Sequence, residues 1–266
     1  MLLASVIGGA SALAACLLPT FSDVLPGATT PTSDAGPDVV DGEAGGGDGG
    51  LAGCDDPLGA FAIWPMTEGG GSVIHDCNGN YPGTFKTTAQ GNVTWTTGRT
   101  IGEVALQMSG GYVALIDLPA LQIAGPFTVT AWVNASSQQT DSFGDILARY
   151  ASISTAAFDV TVTKDPLVSL TLFSNGNIVQ ASGNLTYGVW KHVAATYSSA
   201  TGNAEMFVNG ASTGTATTAA PLPTIPTPMT FGANSVGTSV YFGKIAGIHI
   251  YTRVLVPAEI ATLAKP

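Results

Sequence analysis

Residues 188–210 read GVWKHVAATYSSATGNAEMFVNG, and residues 241–260 read YFGKIAGIHIYTRVLVPAEI. In the first stretch Val193, Ala195 and Tyr197 alternate with His192, Ala194 and Thr196. A period of two puts one set on one face of a strand and the other set on the opposite face. Asn209-Gly210 then supplies the two positive-φ positions of a tight hairpin turn, and Asn175-Gly176 does the same upstream. The second stretch is a β pattern ended by Pro257. Pro at a first helical position, with Ile260 and Leu263 three apart, predicts a single short helix over 257–265. Further out, Phe127, Val129, Ala131 and Val133 share a face in FTVTAWVN (127–134), whereas PTIPTP (223–228) lacks the N–H groups of a regular ladder and predicts a loop or an edge. Hydrophobic residues make up 45% of the chain and charged residues 10%. Short β patterns with almost no helix periodicity predict one antiparallel all-β sandwich or jelly roll over residues 54–266.

These stretches carry a family resemblance. Trp190-Lys-His192-Val193-Ala194-Ala-Thr196-Tyr197, then Phe207-Val208-Asn209-Gly210, then Gly243-Lys-Ile245 and Ile250-Tyr251-Thr-Arg253-Val-Leu255 follow the order of a laminin-G-like domain. Such domains are jelly rolls of the concanavalin-A-like lectin/glucanase superfamily. GAFAIWPMTEGGG (59–71), DCNGNYPGTF (76–85), VALQMSGGYVAL (104–115) and FTVTAWVN extend the resemblance over nearly all of 54–266. It implies a concanavalin-A-like fold and a binding or adhesion role, with a glycan or another surface protein as the partner.

The N-terminus has different chemistry. Residues 1–15 are apolar and small and end in Leu13-Ala14-Ala15-Cys16, which resembles the lipobox of bacterial lipoproteins, although no Lys or Arg precedes it. The resemblance implies a signal peptide over 1–15 and lipid on Cys16, with a cell-envelope location. Leu17, which is not Asp, implies the outer membrane. Residues 16–53 are rich in Gly, Pro and Asp and contain no Lys or Arg. A segment of this composition predicts a disordered acidic tether, because it cannot bury enough apolar surface to offset its ordering entropy. Asp23, Asp34, Asp38, Asp41, Glu43 and Asp48 supply much of the net charge of −10. That charge argues against nucleic acid as a partner. With Cys16 lipidated, Cys54 and Cys77 remain to pair in an oxidising compartment, closing a loop worth roughly 3 kcal/mol; the alternative is two unpaired core residues.

Catalytic signatures are absent from the local sequence. Glycosidases need two nearby carboxylates, and beyond residue 54 the acids are scattered, with no E-x-D or E-x-E on a predicted strand. No catalytic residue is assigned, and enzymatic activity is not expected. A hydrolase with acids assembled across strands is the less favoured alternative, and a structural or protein-binding envelope role is the other. His192 reads as a hydrogen-bonded strand residue. Gly210-Ala-Ser212-Thr-Gly214 has the G-x-S-x-G letters, but it leaves the Asn209-Gly210 hairpin turn with no helix pattern after it, so no Ser sits in a nucleophile elbow. Asp76, Asn78 and Asn80, around Gly79, match an oxygen-rich family segment that implies calcium, or else simply build a turn. The acids that relatives carry late in the chain are replaced by Gly243-Lys244-Ile245-Ala246-Gly247. Trp64, Trp132 and Trp190 read as packing residues. The ligand site is not assigned, but Tyr150, Tyr187 and the loops at 136–144 and 232–240 are the candidate rim. The Asn92, Asn134 and Asn184 sequons fit chance in a Thr-rich chain.

Overall fold

The computed structural model describes residues 53–140, 142–219 and 221–265. The expected leader, Cys16 and the tether through residue 52 lie outside the described residues. Among the described residues there are sixteen strands, one 3-10 turn and one short α-helix. In chain order the strands are β1 (Ala62–Trp64), β2 (Val73–Ile74), β3 (Gly83–Lys86), β4 (Asn92–Thr97), β5 (Val104–Ser109), β6 (Tyr112–Leu115), β7 (Phe127–Ala135) and β8 (Phe143–Ser152). There follow β9 (Thr155–Thr163), β10 (Leu167–Ser174), β11 (Asn177–Asn184), β12 (Lys191–Tyr197), β13 (Asn203–Val208), β14 (Ala211–Thr217), β15 (Thr230–Phe231) and β16 (Phe242–Tyr251). A 3-10 turn spans Pro119–Leu121, and α1 spans Pro257–Leu263. No helix among the described residues is long and apolar enough to cross a membrane.

Two eight-stranded sheets form the sandwich. The first runs β14-β13-β12-β7-β16-β5-β4, with β1 also on β16; the second runs β11-β10-β9-β8-β15-β6-β3-β2. Every pairing between these strands is antiparallel. The two alternating stretches pair in the expected register, Val193 opposite Ala131, Ala195 opposite Val129 and Tyr197 opposite Phe127. All six side chains are buried in the core. From the facing sheet, Phe158, Val160, Val162, Leu170 and Leu172 complete it. Phe127 stacks on Phe158 at 4.4 Å between ring centroids, joining the sheets; such a pair adds about 1 kcal/mol beyond its buried area.

Both expected hairpins form, with Asn175 and Gly176 at φ 49° and 80° and Asn209 and Gly210 at 50° and 80°. Residues 223–228 form a loop outside any strand. Arg149, fully buried on β8, fixes this loop by donating from its guanidinium to the carbonyls of Ile225 and Thr227. Helix α1 seats Ile260 against Ala194, Phe207, Tyr251 and Leu255 on the outer face of the first sheet. Its start is held by Glu259, which accepts the Val256 N–H and a two-pronged contact from Arg253 at 2.9 and 2.8 Å. Helix α1 therefore covers part of the first sheet.

The cysteines pair as the lipidation argument implies. Cys54 and Cys77 form a disulfide, their Cα atoms 5.6 Å apart, tying the domain's entry to the loop after β2.

Candidate functional site: a two-acid groove on the second sheet

On β9, Phe158, Val160 and Val162 turn inward, so Asp159 and Thr161 turn outward. Strand parity does the same for Ser169, Thr171 and Phe173 on β10 and for Ile178 and Gln180 on β11. On β8 a bulge intervenes: Asp145 pairs with Thr161 and Leu147 with Val160, so Ile146 and Leu147 both fill the core. An extra residue re-aims the chain, which keeps Asp145 on the outer face although the strand continues with Ala148 opposite Asp159. Of these, Asp145, Asp159, Thr161, Thr171, Phe173, Ile178 and Gln180 line a groove of about 300 Å³, together with Phe143, Tyr150, Ile153 and Ser239. That is the lower end of small-ligand pockets.

The floor is polar and buried. Asp145 is 2% exposed, Asp159 7% and Thr161 2%. The Asp145 N–H donates to the Ser239 carbonyl at 2.8 Å, pinning the groove wall to the 232–240 loop. Asp159 hydrogen-bonds with Thr171, whose Oγ1 in turn accepts from Gln180 at 3.5 Å. The other oxygen, Asp159 Oδ1, and Thr161 Oγ1 have no partner within the protein. A buried polar atom without a partner costs on the order of 1–3 kcal/mol, and both atoms lie beneath the surface of the groove floor. Burial pushes the Asp159 carboxyl up to about 7, against the hydrogen bond from Thr171. The Tyr150 phenol is raised by burial and by the charges of Asp159 and Asp145, which places both acids within its electrostatic reach.

The rim is apolar. Tyr150 and Phe173 pack with ring centroids 5.2 Å apart, and Phe143, Ile153 and Ile178 are 48%, 65% and 52% exposed. Ring faces beside hydrogen-bonding groups are what a sugar needs: the rings cover its C–H face, and the floor takes its hydroxyls.

The sequence-predicted residues distribute as follows. Tyr150 lines the groove, as do Phe143 from the 136–144 region and Ser239 from the 232–240 loop. Tyr187 lies elsewhere, its hydroxyl donating to the carbonyls of Thr163 and Lys164 at 2.9 and 2.6 Å. The 76–80 loop has the geometry of a turn. Asp76 accepts the N–H groups of Asn78 and Tyr81 at 3.1 and 2.5 Å on its two carboxylate oxygens, and its carbonyl accepts from Gly79. Asn78 and Asn80 are exposed. A carboxylate spent on turn N–H groups is a poor start for a hard cation that wants six to eight oxygens. Among the described residues, no group of three or more His, Cys, Asp or Glu side chains is placed to hold a metal.

The tryptophans need a correction. Trp64 is fully buried and donates from Nε1 to the Tyr81 carbonyl at 2.7 Å, but Trp132 and Trp190 are half-buried. Trp132 follows Ala131, which faces the core, so it must face out. There it carries the Arg99 guanidinium over its ring at 4.4 Å and the edge of His192 at 5.4 Å. Trp132 and Arg99 line a second recess of about 530 Å³, with Val104, His249, Leu263 and Lys265. Arg99 is already engaged there by Glu103 at 3.2 Å. His192 is buried and takes part in strand hydrogen bonds to Asn209, as expected, while burial and the nearby His249 and Arg99 push its ring down to about 3.

Sequence reasoning missed Asp145, Asp159, Thr161, Thr171 and Phe173. Parity was the available signal, since an acid and a threonine alternating with Phe158, Val160 and Val162 must face away from the core. What parity does not provide is the neighbouring strand, and pairing β8 with β9 is what brings the two acids together.

Comparison with known proteins supports the fold. A search among curated proteins returns no match. Among solved structures, domain 4 of AbnA, a GH43 extracellular arabinanase from Geobacillus stearothermophilus, determined with arabinotriose, matches at TM-score 0.59 and 18% identity. The match covers 77% of this chain and 98% of that one. The receptor-binding domain of botulinum neurotoxin type G matches at TM-score 0.56 and 13% identity, covering 77% and 50%. The binding domain of botulinum neurotoxin DC, in complex with SialylT, matches at 0.55 and 14%, covering 76% and 50%. This chain thus spans about half the length of the toxin domains it matches. The laminin-G-type profile described as "Concanavalin A-like lectin/glucanases superfamily" matches residues 107–261, more than half of the sequence, and the chain belongs to that superfamily.

Proposed function

We propose that this protein is a cell-envelope lipoprotein whose jelly roll binds carbohydrate, without cleaving it, in the groove of the second sheet. The observation that carries the reading is the groove itself, where Asp159, Thr171 and Gln180 form a hydrogen-bonded floor beside the aromatic wall of Tyr150 and Phe173. An oligosaccharide satisfies both surfaces at once. Domains of similar fold agree in kind, one solved with arabinotriose and another, a toxin domain, with SialylT. The lipoprotein part rests on Leu13-Ala14-Ala15-Cys16 and the acidic tether; the expected location is the outer membrane, and replacing Cys16 by Ser is expected to release the protein from the envelope. Titrating the purified chain against a broad set of polysaccharides tests the groove, with saturable, competable binding the expected result. Calcium and chelator are expected to change nothing, since Asp76 is committed to its turn. Absence of glycan binding would move the assignment to a surface-protein partner.

A second reading has one specific observation in its favour, the presence of two buried acids in a single groove. Diagonal neighbours across antiparallel strands lie about 7–8 Å apart, within the roughly 6.5–9.5 Å that inverting glycosidases use. Release of reducing ends from any bound polysaccharide, abolished in Asp145→Asn and Asp159→Asn, would establish hydrolysis and overturn the non-catalytic reading.

A further inference from the structure

The recess beside Trp132 on the first sheet holds an arginine that is fixed in place but not used up. Arg99 gives Glu103 one side of its guanidinium, Nε to Oε2 and Nη2 to Oε1, each at 3.2 Å. Its Cζ lies over the Trp132 ring, 4.4 Å from the centroid. Glu103 is anchored in turn, since its Oε2 also accepts the Arg99 and Thr100 N–H groups at 3.1 and 3.3 Å. What remains is the end of the fork, formed by Nη1 and the second N–H of Nη2. Among the described residues no acceptor meets Nη1, which is not a buried atom, and the Arg99 side chain is 25% exposed. A guanidinium takes a planar carboxylate on two parallel N–H groups, and one already held flat loses little freedom in doing so.

The charges around the recess favour such a group. Arg99, Lys265 and Glu103 line it, two cations to one acid in a chain of net charge −10. Lys265 is exposed and has no acid partner among the described residues. Burial lowers the pKa of the His249 ring, so it adds no charge at neutral pH. The neighbouring walls are aliphatic, with Val104, Leu263 and Pro65. On β16 the register shifts between Ala246 and His249, with Gly247 at φ 58° and nothing within 4 Å of a Cβ built there. Bulges of this kind recur next to active sites because they interrupt the regular ladder. Trp132, the only Phe, Tyr or Trp among the described residues of the lining, already carries Arg99. A sugar therefore finds no ring pair here like that of the groove, whereas an aliphatic side chain finds Val104 and Leu263.

We infer that this recess is a second site, separate from the groove, for a peptide carboxylate flanked by an aliphatic side chain. The carboxylate takes the open end of the Arg99 fork, Lys265 supplies the second positive charge, and the aliphatic group lies against Val104 and Leu263. Either the C-terminus of a partner chain or an Asp or Glu side chain carries that chemistry. The partner is a protein segment, so the inference goes beyond the glycan reading and does not depend on it.

Three peptides test it on the full chain: acetyl-Gly-Ser-Gly-Val-Leu with a free C-terminal carboxylate, the same peptide as a C-terminal amide, and acetyl-Gly-Asp-Leu-Gly amide. Binding is read from the Trp132 indole N–H resonance, which reports on this recess. At least one of the two acidic peptides is expected to bind about tenfold or more tightly than the neutral amide, the scale of a hydrogen bond to a charged group. The free C-terminus leading identifies a chain end as the source, and the internal Asp leading identifies a side chain. Arg99→Gln is expected to remove the advantage, with a thermal unfolding scan verifying its fold; the comparison of peptides on the unaltered protein needs no variant. Equal binding of all three peptides, an advantage that persists in Arg99→Gln, or no binding at millimolar peptide would each overturn the inference. Tetragalacturonate binding more tightly than both acidic peptides, and lost in Arg99→Gln, would overturn the peptide assignment in favour of an acidic sugar.

Discussion

Asp159 is a buried carboxyl, and its protonation makes a measurable statement about stability. Its carboxyl is pushed up to about 7 in the folded chain by burial, whereas an unfolded Asp titrates near 3.9. The native state therefore holds the proton more tightly, so Asp159's contribution is fully present below about pH 4 and is lost as pH rises through about 7. His192 has the opposite sign. Pushed down to about 3, it contributes stability above about pH 6.5 that is lost as pH falls. Urea unfolding of the wild type and Asp159→Asn across pH 4 to 8 isolates the first effect. The two are expected to be nearly equal at pH 4, with the variant more stable at pH 8 by on the order of a few kcal/mol. A constant difference across the range would contradict the buried, partly unpartnered carboxyl. Neither acid was legible as a site, because Asp145 and Asp159 are distant in sequence and meet only through a bulged cross-strand register.

At the scale of elements, the hairpins and the helix were legible and their packing was not. Asn-Gly dictates a tight turn by itself, but the two turns sit in different surroundings. A Cβ at Gly176 would meet nothing within 4 Å, whereas one at Gly210 would lie 2.9 Å from the Ala261 Cα of α1. Both positions have φ near 80°, so Gly→Ala is expected to cost on the order of 1 kcal/mol at either from backbone strain. Gly210→Ala is expected to cost a further 1–3 kcal/mol for the collision with α1, read as a lower denaturant midpoint. Equal losses would mean that α1 yields freely. Trp132 shows how a motif can mislead where parity does not. Family position suggested packing, yet one step from Ala131 the side chain points to the other face and meets Arg99.

For the whole molecule, the sandwich was legible because alternation, turn chemistry and motif order agree, and agreement across levels is what specifies a fold. The parity of the cysteines also pointed to the Cys54–Cys77 bridge. The sequence separation across that bridge is 23 residues, so the Cys54→Ser/Cys77→Ser variant is expected to lose about 3 kcal/mol, seen as a fall in the urea midpoint. A variant as stable as the parent would mean that the entry segment is held by its other contacts. What the sequence left open is which surface works, because strand order decides which outward faces adjoin. The most direct test of the groove is a glycan titration followed by amide chemical shifts on the full chain. The account predicts saturable perturbations clustered on β8 to β11 around Asp145, Asp159, Thr161 and Thr171, abolished by Tyr150→Ala. Perturbations confined to the first sheet around Trp132 and His249, or none with any glycan, would contradict it.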